Sequence, residues 1–332
     1  MRHLFLIHSA ITYLVARATI RHETLNSTAC AYVLLRGFQP DPDDPVSARL
    51  ALADNVTVPL TWRVGAVWGG IANLDRQVAT LLANEPFVLY VPHLDLPTAR
   101  LLYTNRRCRQ VSYLEEGTAS YVAPPTPAFS VRDNVVRYLF SRGRYPAIAQ
   151  FPDVHVHAYC IDAACFPGLA RKVVLPLPFR RVTISPNPGG QVILVLDALI
   201  EFNLVAPNAL KQALDALFAW LEAQGQRQIL YKYHPVQAQS PERRAYYETT
   251  IFAPWRDRLH LTELTSPAPL EDVAFSYPTV EFAVISSSVG VYARFCGRRV
   301  VSVARRLMAL DTRFAARMAL MPPVFFESME MI

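Results

Sequence analysis

Long apolar runs are missing from this chain. Nowhere do about 18 apolar residues follow one another, so the sequence offers no membrane-spanning helix. Charge is sparse too: 18% of the 332 residues are charged against 52% hydrophobic, which excludes extended disorder and leaves apolar material for two cores. The five cysteines (Cys30, Cys108, Cys160, Cys165 and Cys296) are odd in number, scattered and without a CxxC pair. That pattern excludes a disulfide framework and fits a reducing compartment. No GxGxxG follows the first apolar run and no Walker signature occurs, which argues against dinucleotide oxidoreductases and NTPases. Internal repeats and low-complexity tracts are absent as well.

What is present is an alternation of strand-like and helix-like segments. The opening MRHLFLIHSAITYLVARAT imitates a secretory signal, but His8, Ser9 and Thr12 interrupt its apolar core. It reads better as a strand over 3–9 followed by a helix, and the chain is expected in the cytoplasm, with room for peripheral contact on the inner membrane face. Strands are predicted at 30–37, 87–92, 109–117 and 153–160, with helices at LPTARLLYTN and over 131–143. Residues 166–190 carry five prolines and three glycines without a sustained period, and read as a linker.

Beyond it the alternation restarts. A strand over 191–199 precedes a helix over 207–225, whose Leu210, Leu214, Leu217 and Leu221 share a face between Pro207 and Gly225. QILYKYH, RLHLTEL, VEFAVIS and RRVVSV read as further strands. SPERRAYYETTIF, PLEDVAF and SVGVYARFCG read as the helices between them, and a basic amphipathic helix is predicted around 304–320. The implied fold is α/β: two Rossmann-like domains, 1–178 and 179–332, facing across a cleft.

Ligands of open parallel sheets sit beyond the carboxyl ends of the strands, and polar clusters fall at such ends. Glu115-Glu116-Gly117 closes an apolar run, where glycine lets the backbone bend and adjacent carboxylates can raise one pKa into the range of a base. His234-Pro235 ends another, with Lys232 two residues earlier on the same strand face. Ser286, Ser287 and Ser288 stand where a strand meets a helix, offering hydroxyls and N–H groups to a phosphate. Glu271 opens a short helix and could accept hydrogen bonds from two ribose hydroxyls. Ser9, beside His8, ends the first strand and is placed on the acceptor side. Each feature also has a plain structural use as an acidic turn, a strand cap, a helix cap or a dipole complement. His155, His157 and Cys160 invite a zinc reading, but no fourth ligand with fitting spacing accompanies them, and no metal is expected.

The order of these motifs resembles that of the bacterial sialyltransferases that use CMP-activated sugars, enzymes of the GT-B fold. The resemblance implies an inverting, metal-independent and cofactor-free transfer of sialic acid to a hydroxyl of a bacterial surface glycan. Glu115, or its neighbour Glu116, would be the base and His234 the acid. Ser286, Ser287 and Ser288 would hold the phosphate, Lys232 and Pro235 would flank the cytidine, and Glu271 would hold the ribose. Partners would be a CMP-sugar donor and a glycan or glycolipid acceptor, with no nucleic acid. The basic C-terminal stretch could rest on anionic lipid but reads better as a helix packing in its domain, and a homodimer fits the same picture. A CMP-linked ulosonate such as Kdo as donor, and a catalytically silent glycan- or nucleotide-binding homologue, are the alternatives.

Overall fold

Strands of a parallel sheet are covered on both faces, so they read as unbroken apolar runs rather than alternating ones. The computed structural model, which describes residues 1–52, 64–94, 96–122, 138, 141, 143–145, 157–327 and 329–332, has that character in its central strands. The chain divides into two compact units, Met1–Pro178 and Phe179–Ile332.

In the first unit, β1 (Arg2–Ile7), β2 (Cys30–Leu34), β3 (Ala48–Ala51), β4 (Phe87–Val91), β5 (Cys108–Leu114), β6 (Ala158–Cys160) and β7 (Lys172–Val174) form a seven-stranded sheet in the order β3-β2-β1-β4-β5-β6-β7. Its pairings are parallel. Every residue of β2 and of β4 is buried, as are Leu4, Phe5, Leu6 and Ile7 of β1. Helices α1 (Ala10–His22), α2 (Val64–Leu81) and α3 (Pro97–Tyr103) connect them.

Two elements here have weak sequence signals. The helix α2 carries Gly65, Gly69 and Gly70, which lower helix propensity, and β3 is a short edge strand with no buried residue. The expected linker over 166–190 also needs correcting, because Lys172–Val174 within it pairs with β6 as an edge strand. Most of the helix expected over 131–143, and residues 153–156 of the strand expected over 153–160, lie outside the described residues.

The second unit contains β8 (Val192–Val195), β9 (Gln228–Lys232), β10 (His260–Glu263), β11 (Glu281–Val284), β12 (Val300–Ser302) and β13 (Glu330–Met331). They form a six-stranded parallel sheet in the order β10-β9-β8-β11-β12-β13. Helix α4 (Pro207–Ala223) buries the predicted leucine face together with Phe218, and ends as Gly225 takes a left-handed φ of 76°. Short helices α5 (Pro235–Ala238), α6 (Pro241–Tyr246) and α7 (Leu270–Ser276) follow, then α8 (Ser288–Phe295).

The helix expected around 304–320 is two helices, α9 (Ala304–Leu310) and α10 (Thr312–Met318), ahead of α11 (Pro323–Glu327). Asp311 divides them. Its carboxylate accepts from the N–H groups of Arg313 and Phe314 as the N-cap of α10, and from Ala206 N–H at 2.8 Å. The Ala206 bond foremost, with the others, holds its pKa down to about 2. Leu307, Phe314 and Met318 are fully buried in the core, so these residues of the stretch pack within the protein, while Leu310 and Leu320 are exposed. Among the described residues, no helix is long and apolar enough to cross a membrane.

In each sheet the chain builds outward to one side and then returns to build the other. The order reverses between β1 and β4 in the first unit, and between β8 and β11 in the second. Loops diverge at such a switch point and leave a crevice at the carboxyl ends of the strands.

Candidate functional site

At the second unit's switch point, three neighbouring strands deliver polar residues. Asp197 follows β8, His234 follows β9, and Ser286-Ser287-Ser288 follow β11. The Asp197 carboxylate accepts from the Ser286 N–H at 2.7 Å and from its hydroxyl at 3.0 Å. Burial pushes the Asp197 carboxyl above its ordinary range, even though the Ser286 hydrogen bonds and the nearby His234 and Arg317 favour the anion. Ser287 caps α8, its hydroxyl accepting from Val289 N–H at 3.4 Å, and Ser288 opens the helix. Gly290 in the first turn lets Met329 pack close: a Cβ there would meet Met329 Cε at 2.6 Å.

His234 is half-buried and caps α5. Its Nδ1 accepts from Val236 N–H at 3.3 Å, so the neutral ring carries its proton on Nε2. Gln237 completes a capping box from the other side, its Oε1 accepting from His234 N–H at 3.0 Å, while its amide donates to Asp197 O at 3.0 Å. Burial lowers the imidazole's pKa, with Asp197 and Glu201 pulling the other way. Phe202, 56% exposed, stands edge-on to the imidazole with ring centroids 6.0 Å apart. Pro235 occupies the first turn of α5 and is exposed.

Two other expected residues face different tasks. The Lys232 ammonium donates to the carbonyls of Ser266 and Ala268 at 2.7 and 2.9 Å, tying down the loop before α7. Glu271, 6% exposed, has its carboxyl raised to about 7 by burial. The neighbouring Asp272 accepts from the Arg180 N–H at 2.8 Å and pairs with its guanidinium at 3.1 Å.

In the first unit the Glu-Glu-Gly motif splits between two faces, as successive residues at a strand end must. Glu115 is fully buried: its carboxylate accepts from the Tyr121 hydroxyl at 2.7 Å and from Ile161 N–H at 2.6 Å. The expectation that Glu115 is a solvent-reaching base is therefore corrected. It is an internal staple between the ends of β5 and β6. Gly117 turns the chain there with φ 129° and ψ −156°, a conformation open to glycine and strained for other residues. Ser9 caps α1, accepting from Thr12 N–H at 3.3 Å.

Glu116 points to the other side. Its Oε2 lies 2.6 Å from His8 Nε2 and its Oε1 lies 3.5 Å from His93 Nε2. Burial would raise this carboxyl, yet the His8 hydrogen bond and the nearness of His93 outweigh it and hold the pKa below the ordinary value. His93 and Asp197 were not singled out from the sequence. Each is a lone polar residue just past an apolar strand, in VPH and LVLD, and that position is the signal that could have found them. Of the residues in the discounted zinc reading, His157 is exposed, Cys160 is buried in β6 and His155 lies outside the described residues.

Neither the family models nor the curated proteins compared with this sequence give a match. Solved structures do. S. aureus MnaA, solved with UDP, superposes with a TM-score of 0.52 at 11% identity, over 98% of this chain and 92% of that one. A Listeria monocytogenes protein assigned as a UDP-N-acetylglucosamine 2-epimerase superposes with a TM-score of 0.50 at 12% identity, over 96% and 87%. At such identity the likeness establishes the fold, a GT-B type pair of Rossmann-like units. These findings overturn the resemblance to CMP-sugar sialyltransferases, and with it the transferase activity, the CMP-sugar partner, the glycan acceptor, and the Kdo and silent-homologue alternatives. The physical reason is local. His-Pro here is a helix cap with proline in the first turn, and the serines cap the next helix, so the motifs mark strand ends that many parallel α/β proteins share.

Proposed function

We propose that this chain is a nucleotide-sugar enzyme acting on a uridine-diphosphate N-acetylhexosamine, with inversion at a sugar carbon, as in a 2-epimerase, for its reaction class. The observation that carries the reading is the convergence of His234, Asp197 and the serine-capped N-terminus of α8 on the second unit's switch point. A helix N-terminus with adjacent hydroxyls favours phosphate oxygens through its dipole and its N–H groups. In this reading Ser287 and Ser288 meet the diphosphate and the Nε2–H of His234 donates to it. Asp197 holds the Ser286 end of the turn in place, and the exposed Phe202 ring offers a stacking face for the base. The folds matched at TM-scores of 0.50 and 0.52, one a 2-epimerase by assignment and the other solved with UDP, support the uridine nucleotide and the reaction class.

The test is incubation of the full chain with UDP-N-acetylglucosamine, followed by NMR of the sugar ring. The reading expects a second UDP-linked hexosamine of inverted configuration at C2, formed by the wild type and lost in His234→Ala. Recovery of unchanged substrate from the wild type, with no binding of UDP, would remove the proposal.

A further inference from the structure

We propose that His8, His93 and Glu116 form a binding site for one divalent transition-metal ion of the zinc class. The site belongs to the first unit alone, so it stands or falls independently of the nucleotide-sugar reading. The three residues follow β1, β4 and β5, neighbours in the sheet, at the switch point where loops diverge. Their ligating atoms all lie within 4.8 Å of one another.

Two imidazoles and a carboxylate are the donor set of open zinc centres, which keep a further position for water or substrate. Ligands held at about 2.0–2.1 Å from a tetrahedral ion stand roughly 3.4 Å from each other. The His93–Glu116 separation of 3.5 Å already matches that figure. The His8–Glu116 contact of 2.6 Å is a hydrogen bond, and an ion in place of its proton lengthens it by roughly 0.8 Å.

The second observation is the other nitrogen of the same ring. The His8 side chain is 6% exposed, and its Nδ1 is buried without a hydrogen-bond partner. With the proton on Nε2, Nδ1 is a buried lone pair facing no donor. With the proton on Nδ1, Nε2 and the Glu116 oxygen meet lone pair to lone pair at 2.6 Å. In the second tautomer a cation between Nε2 and the carboxylate takes the place that the proton holds in the first. A carboxylate in the middle of the group turns anions away, and the two imidazoles select against magnesium and calcium, which take oxygen ligands.

The experiment uses the full chain freed of metal by chelation and titrated with Zn²⁺, and with Co²⁺ as a visible probe. One equivalent should bind, with the d–d absorption of low-coordinate cobalt and a rise in Tm. His93→Ala and Glu116→Gln should each weaken binding by at least about 100-fold, beyond the range of outer-shell residues, while His157→Ala should leave it unchanged. If His93→Ala does not fold, Glu116→Gln decides, since it keeps the side chain's size. The absence of saturable binding by the wild type, or binding that Glu116→Gln leaves intact, overturns the proposal and leaves a hydrogen-bonded network only.

Discussion

The carboxylate of Asp197 accepts both the backbone N–H and the hydroxyl of Ser286, at 2.7 and 3.0 Å, across a separation of 89 residues. It joins the ends of two neighbouring strands, β8 and β11, at the point where the sheet order reverses. The orientation of the serine turn, and so of the N-terminus of α8, depends on this bond.

Asp197→Ala should therefore cost about 1–3 kcal/mol of stability, the toll of leaving the Ser286 donors without their acceptor. Asp197→Asn keeps an acceptor oxygen and should lose less. Urea unfolding of the two variants checks the order. Equal losses would mean that the charge, rather than the hydrogen bonds, holds the turn.

The two adjacent glutamates should behave differently. Glu115→Ala strands the Ile161 N–H and the Tyr121 hydroxyl inside the first unit and should cost about 3 kcal/mol or more. Glu116→Gln, on the other face, should cost about 1 kcal/mol. Thermal unfolding of both variants measures the contrast, and a reversed order would contradict the assignment of Glu115 as the staple.

Burial sets a pH dependence at Glu271. Its folded pKa of about 7 lies above the unfolded value of about 4.3, so between these the folded state keeps a proton that the unfolded state has released. Stability contributed by this group falls as pH rises through that window and levels off above it. Glu271→Gln should match the wild type near pH 4 and exceed it near pH 8 by up to about 3 kcal/mol. Denaturant unfolding at the two pH values is the check, and parallel curves would contradict the raised pKa.

The fold class was legible because buried parallel strands announce themselves. CAYVL, FVLYV and VILV are apolar without interruption, and each is a strand. Edge strands were harder: β3 and β7 are short, and no residue in either is buried. His234 and the serines were found because they end such runs. His93 and Asp197 end runs too, but what makes them part of a site is which strands lie side by side. The adjacency of β1 to β4, and of β8 to β11, is a property of sheet order that no local pattern encodes. The nucleotide was misread for a related reason. Short cap motifs report where a strand stops, and carry no information on which nucleotide base is read beyond it.

Calorimetric titration of UDP into the wild type, His234→Ala and Phe202→Ala tests the central claim most directly. Single-site binding is expected, weakened about tenfold or more by each substitution, since base stacking on an aromatic ring is worth about 1–3 kcal/mol. Phe202→Ala should fold as the wild type does, because its ring is 56% exposed. No UDP binding, or UDP binding indifferent to both substitutions, would contradict a nucleotide site at the second unit's switch point.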